Sequence, residues 1–365
     1  MIVNSLSLKN YKNILNTAFT FDKNINVIYG ENAQGKTNIL EALWLFTGMR
    51  SFRAVKDSDQ IMFGKQKAEI EVSFISCGRE QSEKIIFGEK KESFLNGIKQ
   101  PSVSSFSENY YAVIFSPEHL SLIKGGPAER RSFCDNALCQ IKPKFSEYVL
   151  KYKKNLVQRN ALLKDYRFNN SIEPLLEIFE ENLAEIGTKI IIQRLKYLEA
   201  LKEEAKEIYA GISSNKEEID FKYVCSFNYE NKEQIKEKFL KALKDNREED
   251  MLSLSTSTGP HRDDIEVEIN GISARKFGSQ GQQRSCVLAL KLGEASVLKN
   301  KTGEMPIVLL DDVMSELDES RQDYILQRIE NWQVFITCCD PNTVSRLKQG
   351  KTFCINEYRN SGEVI

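Results

Sequence analysis

Histidine is scarce in this chain, which has only two, His119 and His261, among its 365 residues. A catalytic mechanism built on a histidine base is therefore disfavoured. The eight cysteines include no C-x-x-C pair, and zinc sites and disulfide scaffolds depend on such regular spacing. The cysteine pattern instead indicates scattered thiols in a reducing compartment.

Long hydrophobic runs and an excess of either charge are also missing. No apolar run approaches the roughly 18 residues of a membrane helix, and the first residues lack the basic start and apolar stretch of an export signal. We therefore expect a cytoplasmic protein. The 51 basic and 52 acidic residues leave a net charge of −1, so a nucleic-acid partner would require a local basic patch.

The composition is that of a globular protein, and the length suits two domains or one domain with a large insertion. Alternating or continuous apolar runs predict an α/β fold at both ends of the chain, whereas the middle has the charged, 3.6-residue periodicity of long helices. We expect an α/β domain formed by residues 1–120 and 251–365, interrupted by a helical insertion over residues 121–250. The predicted strands include Ile2–Leu8, Ile25–Tyr29, Glu69–Ile75, Glu83–Phe87, Tyr110–Phe115, Ile265–Ile269, Ile307–Leu310, Val334–Thr337 and Thr352–Ile355.

One apolar stripe in the insertion has two interpretations. Its members are spaced three and four residues apart, which places them on one face of a helix. Such a stripe is either a short coiled-coil seam or the core face of a helical subdomain, and its shortness favours the second. The stripe consists of Leu176, Phe179, Leu183, Ile186 and Ile190.

Residues 30–37, GENAQGKT, match the phosphate-binding pattern G-x-x-x-x-G-K-[ST] between a predicted strand and a predicted helix. Gly30 and Gly35 allow the backbone amides to turn around a phosphate, and the helix amino terminus adds a positive dipole. Lys36 would reach the outer phosphates and the Thr37 hydroxyl would coordinate magnesium. The loop predicts a nucleotide site formed by Gly30, Glu31, Asn32, Ala33, Gln34, Gly35, Lys36, Thr37 and Asn38.

A second nucleotide motif lies far along the chain, where the apolar run Ile307–Leu310 ends in Asp311 and Asp312. This is the Walker B arrangement, in which the first acid holds magnesium and the second orients or deprotonates the attacking water. The alternative, that the acids only cap a turn, is weaker because a buried strand precedes them. Asp311 lies 275 residues after Lys36 in the sequence, which is too far for one compact ATPase domain. This separation indicates that the insertion splits the ATPase domain.

The segment from Phe277 to Arg284, FGSQGQQR, precedes an apolar helix. Ser279 and Gln282 have the spacing of a capping box, which alone predicts only a helix start. Together with the two nucleotide motifs, it resembles the signature of ABC-type ATPases, and Ser315–Asp318 resembles their D-loop. The resemblance implies that Ser279, with Gly281 and Gln282, completes the nucleotide site of the opposite subunit in a dimer.

Six ordered motifs resemble those of the RecF family, within the structural-maintenance-of-chromosomes (SMC) branch of ABC-type ATPases. They are GENAQGKTNILEAL, RSFR, FSPEHLSLIKGGPAERRSFCD, TGPHRDDI, GSQGQQR and LLDDVMSELD. The resemblance implies a split head with ATP and Mg²⁺ as cofactors, and a homodimer that ATP closes with Ser279 of one copy facing Lys36 of the other.

The same resemblance implies a function in recombinational DNA repair. It implies binding to single-stranded or gapped DNA and duplex junctions, and joint action with RecO and RecR to help RecA displace single-strand-binding protein. This activity supports replication restart and SOS induction. The implied enzyme is a weak, DNA-stimulated ATPase whose slow hydrolysis resets the clamp.

Three positions depart from related ATPases. Transport ATPases have a histidine where this chain has Thr337 and Cys338, so the γ-phosphate contact would be a hydroxyl or would be missing. SMC heads have a glutamine loop where this chain has Ser116-Pro117-Glu118, and Glu118 is a candidate metal ligand there. Asp312 is shorter than the catalytic glutamate of the family, which favours slow hydrolysis.

The segment 142–170 is the basic patch that the neutral chain would need, with eight basic and two acidic residues. Tyrosines and a phenylalanine are interleaved, as in surfaces that bind nucleic-acid backbones. A solvated helix face is the alternative. The candidate DNA-binding residues are Lys151, Lys153, Lys154 and Arg159.

Other charged positions stay open at this stage. Arg50 and Arg53 would contact nucleotide, DNA or a partner, and Arg130 and Arg131 are structural or form a dimer contact. His261-Arg262-Asp263-Asp264 favours a structural or ATP-coupling role over metal chemistry, since no second acid cluster or histidine pair accompanies it.

Two other functions compete: the ATPase subunit of a transporter and an SMC-like chromosome tether. The basic insertion and the missing switch histidine argue against the first, and the lack of a long heptad run against the second.

Overall fold

The computed structural model of the chain describes residues 1–53, 56–165, 173–339 and 350–355. It divides into two compact units, one of residues 1–120, 207–216 and 287–365 and the other of residues 121–206 and 217–286. We call them the head unit and the insertion unit. Across the described ranges, no helix has the length and apolar character needed to traverse a bilayer.

The amino-terminal part of the head unit is mostly β-structure. The hairpin turn at Asn96 and Gly97 has positive φ at both residues (49° and 77°), as the sequence pattern predicts for a two-residue turn. The elements in chain order are β1 (Ile2–Tyr11), β2 (Ile14–Thr20), β3 (Ile25–Tyr29), α1 (Lys36–Leu45), β4 (Ala68–Ser76), β5 (Arg79–Phe87), β6 (Glu92–Leu95), β7 (Ile98–Gln100) and β8 (Ala112–Phe115).

In its described residues, the insertion is helical except for one small sheet. Leu176, Leu183 and Ile190 are buried along the 40-residue helix α5, so the apolar stripe lies along its core face. The elements are α2 (Ser121–Lys124), α3 (Pro127–Ile141), α4 (Lys144–Asp165), α5 (Glu173–Ile212), β9 (Ile219–Val224), α6 (Ile235–Asp245), α7 (Arg247–Ser253), β10 (Asp264–Ile269), β11 (Ile272–Ser273) and α8 (Ala274–Phe277).

The chain re-enters the head unit at Val287, within the long helix Gln280–Thr302. Continuous apolar runs form its strands because both faces of a parallel sheet are covered. The elements are α9 (Gln280–Thr302), β12 (Ile307–Asp311), α10 (Glu319–Arg328), β13 (Val334–Cys338) and β14 (Lys351–Cys354).

Two sheets build the head unit. Strands β2-β1-β4-β5-β6-β7 form an antiparallel sheet, and β14-β3-β13-β12-β8 form a parallel sheet that contains strands from both ends of the chain. A single cluster of buried side chains joins both sheets to α1, with Leu40, Phe74 and Leu309 among its members. The prediction of an α/β domain split by a helical insertion is confirmed.

The compact units divide the chain differently from the predicted boundaries at residues 120 and 250. Residues 251–286 belong with the insertion unit, because β10 pairs antiparallel with β9 from Asp264↔Val224 to Ile269↔Ile219. Strand β9 itself was not expected from the sequence. Its alternation of Ile219, Phe221 and Tyr223 with polar residues is the signal that would have found it.

Candidate functional site

The loop between β3 and α1 has the backbone shape of a phosphate cradle. Gly30 and Gly35 have φ of 151° and 109°, a region that favours glycine. A Cβ at Gly30 would lie 2.4 Å from Ile355 Cγ2, and one at Gly35 would lie 2.7 Å from Asn13 Oδ1. Both positions therefore favour glycine by conformation, and a Cβ at either would displace a neighbouring side chain. Helix α1 begins immediately after Gly35, so its amino terminus faces the loop.

Lys36 is folded over this loop. Its Nζ donates to the carbonyl oxygens of Gly30 at 2.6 Å and Glu31 at 2.9 Å, and its side chain is almost fully buried. These contacts hold the ammonium group over the loop that would enclose a phosphate chain.

The first Walker B acid meets the phosphate loop. Thr37 Oγ1 donates to Asp311 Oδ1 at 2.9 Å across 274 residues of sequence, and Thr337 Oγ1 donates to the same oxygen at 2.7 Å. Burial raises the pKa of Asp311, although both hydroxyl hydrogen bonds and the nearby Arg53 oppose the rise. A bound cation would stabilise the ionised form of this buried carboxylate. Carboxylate and hydroxyl oxygens are hard donors, which suit Mg²⁺.

The second acid has an unusual backbone. Asp312 has φ of 53°, in the left-handed region that few non-glycine residues occupy. Its N–H donates to Thr337 Oγ1 at 2.9 Å, and its carboxylate accepts from Ser315 Oγ at 2.9 Å. Strained residues of this kind cluster at functional sites, and these two contacts hold Asp312 in place at the end of β12.

A cleft of about 370 Å³ connects these groups. Its volume is in the range of small-molecule sites, and the charges that face it include both acids, Glu118 and two cations. The cleft is lined by Asn32, Ala33, Gln34, Gly35, Lys36, Thr37, Asn38, Arg53, Pro117, Glu118, Asp311, Asp312 and Thr337. Most of the predicted phosphate-loop residues and both Walker B acids therefore meet in one place.

Glu118 reaches this cleft from a 3₁₀ turn, Pro117–Leu120, that follows β8. The turn is held by His119, whose Nδ1 lies 3.0 Å from both the backbone nitrogen and the hydroxyl of Ser116. Burial and the nearby Lys291 lower the pKa of His119 to about 3, so this ring is neutral and structural. Glu118 is close enough to Asp311 to raise its pKa.

Asn13 is a site residue that the sequence motifs did not reveal. Its Nδ2 donates to the carbonyl oxygen of Gln34 at 2.9 Å, and its Oδ1 accepts from Asn38 Nδ2 at 2.7 Å. It therefore braces the phosphate loop from the turn between β1 and β2. No local pattern could have found it, because the contact depends on packing between segments distant in sequence.

The signature segment begins α9 as the capping-box pattern predicts. Ser279 N–H donates to Gln282 Oε1 at 2.8 Å and Gln282 N–H donates to Ser279 Oγ at 3.3 Å. Gln282 Nε2 also donates to Glu217 Oε1 at 2.7 Å. The capping box is confirmed, and the side-chain amide of Gln282 is already occupied within the insertion unit.

Comparisons with known proteins place these motifs in a family. The model of the family described as AAA ATPase domain matches residues 1–312. "DNA replication and repair protein RecF" of Acetivibrio thermocellus is 38% identical, over 97% of this chain and all of that protein. The protein of the same name from Ruminiclostridium cellulolyticum is 41% identical, over 93% of this chain and 92% of that one. The chain belongs to the RecF family.

Solved structures agree with this assignment. A structure described as the recombination mediator protein RecF with ATP, in the RecFOR pathway, superimposes with a TM-score of 0.89 at 36% identity, covering 97% of this chain and 96% of that one. The Smc head domain of Pyrococcus furiosus gives 0.54 at 18% identity over 94% and 91%. The fold is thus an α/β ATPase head of the RecF and SMC type with a helical insertion.

The RecF-type insertion unit separates the four candidate DNA-binding residues. Lys151, Lys153 and Lys154 are exposed on α4, whereas Arg159 is fully buried. Arg159 pairs with Asp250 at 2.7 Å and Glu180 at 3.0 Å. The prediction that Arg159 contacts DNA is wrong, because its guanidinium forms the centre of a buried ion-pair network.

Arg159 falls on the buried face of α4. Phe145 and Tyr152 precede it by fourteen and seven residues, Leu163 follows it by four, and all three are buried. This spacing repeats on one side of a helix. Tyr166, Arg167 and Phe168, which also belong to the basic segment, lie outside the described residues.

The HRDD segment in the insertion unit consists of structural contacts. His261 lies 2.8 Å from Tyr152 Oη and 3.0 Å from the carbonyl oxygen of Thr256, and burial lowers its pKa to about 4. Asp263 accepts from Tyr223 Oη and from the N–H of Ser226. These bonds connect β9, α4 and the loop before β10.

The paired arginines of α3 hold the end of the same segment. Arg130 forms a two-pronged ion pair with Asp264 at 2.7 and 2.9 Å. Arg131 donates to the carbonyl oxygen of Asp263 at 2.7 Å. Of the two roles left open for these arginines, the contacts support the structural one.

Proposed function

We propose that this chain is an ATP-dependent DNA-binding protein of recombinational repair, which ATP closes into a homodimer and slow hydrolysis reopens. The observation that supports it best is the meeting of Lys36, Thr37 and Asp311 at one cleft. A solved relative of 36% identity is described as bound to ATP. The ATPase would act as a switch whose product is an assembly.

The chemistry of the cleft follows from its charges. Lys36 and the loop amides would bind the β- and γ-phosphates. The Thr37 hydroxyl and the Asp311 carboxylate would hold Mg²⁺, with Glu118 as a further oxygen donor. When bound, the ion neutralises developing phosphate charge. Asp312 would orient or deprotonate the attacking water, and its short side chain favours a low rate.

The signature would act on a second copy of the chain. Ser279 and Gly281 lie at the amino terminus of α9, where backbone amides favour an anion. In the closed dimer, Ser279 of one copy would contact the γ-phosphate held by Lys36 of the other. Gln282 would support this contact through the capping box, since its side-chain amide is already bonded to Glu217.

Lys151, Lys153 and Lys154 would supply a DNA surface on α4. They are exposed, and phosphate neutralisation supplies most of the affinity of a sequence-independent binder. Relatives are named DNA replication and repair proteins, and one structure is described as a recombination mediator in the RecFOR pathway. We therefore propose gapped or single-stranded DNA as ligand, RecO and RecR as partners, and RecA loading as the outcome.

The dimer is tested by light scattering of the Asp312→Asn variant, which should bind ATP and magnesium but hydrolyse slowly. We expect a monomer without nucleotide and a dimer with ATP, with and without gapped DNA. A persistent monomer at saturating ATP would overturn the sandwich mechanism.

The signature is tested by Ser279→Arg. The added bulk should block closure of the dimer while the monomer keeps most of its ATP affinity, because Ser279 would serve the other copy. Loss of ATP binding by the monomer itself would contradict the assigned role. Ser253→Arg is the matched control, since it adds the same bulk at an exposed serine outside the signature.

A further inference from the structure

Glu41 is a fully buried carboxylate on the helix that follows the phosphate loop. Its Oε2 forms an ion pair with Lys12. Its Oε1 accepts from Ser51 Oγ at 2.5 Å and from Gln60 Nε2 at 3.1 Å. Removing a carboxylate from water is costly unless it is paired and hydrogen-bonded, and Glu41 has three partners from three separate segments.

The first partner leads to the phosphate loop. Lys12 directly precedes Asn13, whose side chain bonds Gln34 and Asn38. The same side chain occupies the space that a Cβ at Gly35 would need. The ion pair with Glu41 therefore ties the turn that braces the loop to the helix that begins at the loop.

The second partner, Ser51, connects Glu41 to Arg53, a cation that lines the cleft. Ser51 Oγ donates to Glu41 and accepts the backbone N–H of Arg53 at 3.0 Å, so one hydroxyl links the carboxylate to the arginine backbone. Arg53 lines the cleft and opposes the rise in the pKa of Asp311. The position of this positive charge thus depends on Ser51.

The third partner, Gln60, contacts both Glu41 and Lys12. Gln60 bonds Glu41 through its side chain, and its backbone carbonyl oxygen accepts the N–H of Lys12 at 3.0 Å. Ser51, which lies two residues before Arg53, and Gln60 therefore bond the same carboxylate oxygen of Glu41.

We propose that Glu41 is a positioning residue for the nucleotide site, which sets the placement of Arg53 and Asn13 and thereby the affinity for ATP without touching the nucleotide. The proposal rests on the proposed binding of ATP at Lys36. A plain structural ion pair would stabilise the head unit but would have no selective link to the two residues that reach the cleft and its loop.

Two double-mutant cycles on the full-length chain test the proposal, with ATP affinity measured by titration of a fluorescent ATP analogue and competition with ATP. Ser51→Ala and Arg53→Ala should each weaken ATP binding, Ser51→Ala by roughly threefold to tenfold, the order of one lost hydrogen bond. The double variant should be no weaker than Arg53→Ala alone, because Ser51 would act through Arg53.

The second cycle combines Glu41→Gln with Asn13→Ala. The glutamine leaves the Lys12 ammonium without its charge partner, and we expect a loss of about tenfold in ATP affinity. Asn13→Ala should remove most of the same effect, so the double variant again falls short of the summed losses. If Glu41→Gln does not fold, Lys12→Met replaces it in this cycle, because Lys12 is the ion-pair partner of Glu41 and directly precedes Asn13.

Two control variants separate positioning from general damage. Glu83→Gln changes another buried glutamate of the head unit, and Ser58→Ala changes an exposed serine near Asp59. Both should keep the ATP affinity of the unmodified chain. Additive losses in both cycles, or an unchanged affinity in Ser51→Ala and Glu41→Gln, would overturn the proposal. Undiminished ATP binding by Lys36→Ala would instead overturn the proposed function.

Discussion

The nucleotide cleft of the head unit and the basic helix α4 of the insertion unit were both predicted from charged residues, with different outcomes. The predicted acids and Lys36 meet in the cleft. On α4, three predicted cations are exposed and Arg159 is buried. A motif specifies backbone shape and neighbours together, whereas a count of charges does not say which side of a helix each residue occupies.

The largest effect should come from Arg159→Ala. The change leaves the carboxylates of Glu180 and Asp250 buried without their shared cation, and breaking such a network costs about 3–5 kcal/mol. Urea unfolding should show this loss. Lys164→Ala, at an exposed position of the same helix, should stay within about 0.5 kcal/mol of the unmodified chain.

This variant also tests the contrast between the two regions. The folded fraction of Arg159→Ala should bind DNA normally. A stable Arg159→Ala protein with lost DNA affinity would instead place Arg159 on the DNA surface.

The next effect concerns the cleft. Lys36→Ala removes the ammonium group that bonds Gly30 and Glu31, and ATP affinity should fall by roughly 100-fold or more, as expected for two charge-assisted contacts with phosphates. Equilibrium titration with ATP and magnesium measures this. Loss of these hydrogen bonds should also lower the free energy of unfolding by about 1–3 kcal/mol, and ATP-dependent dimerisation should be lost together with ATP binding.

Charge reversal at Lys151, Lys153 and Lys154 should have an intermediate effect. With about six phosphates contacted, log K should fall with log salt at a slope near −5, and losing three contacts should reduce the slope by about 3. Binding to gapped DNA across a salt series measures both quantities. ATP affinity should not change.

A matched control reverses three exposed lysines of the head unit, Lys23, Lys65 and Lys90. The net charge changes equally, so a local surface on α4 predicts a much smaller loss of DNA affinity. An equal loss in both triple variants, or a flat salt dependence, would place the DNA elsewhere.

The smallest effect concerns Glu83, whose two carboxylate oxygens have no hydrogen-bond partner among the described residues. Burial raises the pKa of Glu83 well above its ordinary value, so the folded chain keeps this proton at a pH where the unfolded chain releases it. Stability should therefore fall as pH rises above the ordinary glutamate pKa, by up to about 1.4 kcal/mol per pH unit from this group.

Glu83→Gln should remove that dependence. Its free energy of unfolding relative to that of the unmodified chain should therefore increase between pH 5 and pH 7. Urea unfolding at several pH values measures the difference. A constant difference across this range would mean that Glu83 is ionised in the folded chain.

Several elements could be predicted from the sequence because their determinants are local. The strands β3, β12 and β13 follow from continuous apolar runs, and the capping box at Ser279 from the spacing to Gln282. Strand β9 was missed among strongly helical neighbours, although its alternation was visible. The boundary of the insertion unit at residue 286 was not visible locally, because the pairing of β9 with β10 decides it.

The amino-acid sequence by itself determined the phosphate loop, the two acids after a buried strand, and their order around an insertion. Those features depend on glycine conformation, hydrophobic periodicity and side-chain chemistry within a few residues. Only the tertiary structure decided that Thr37 meets Asp311, that Asn13 bonds the loop, that Glu41 pairs with Lys12, and that Arg159 is buried. These contacts join segments far apart in sequence, so they arise from how strands and helices pack and leave no local pattern.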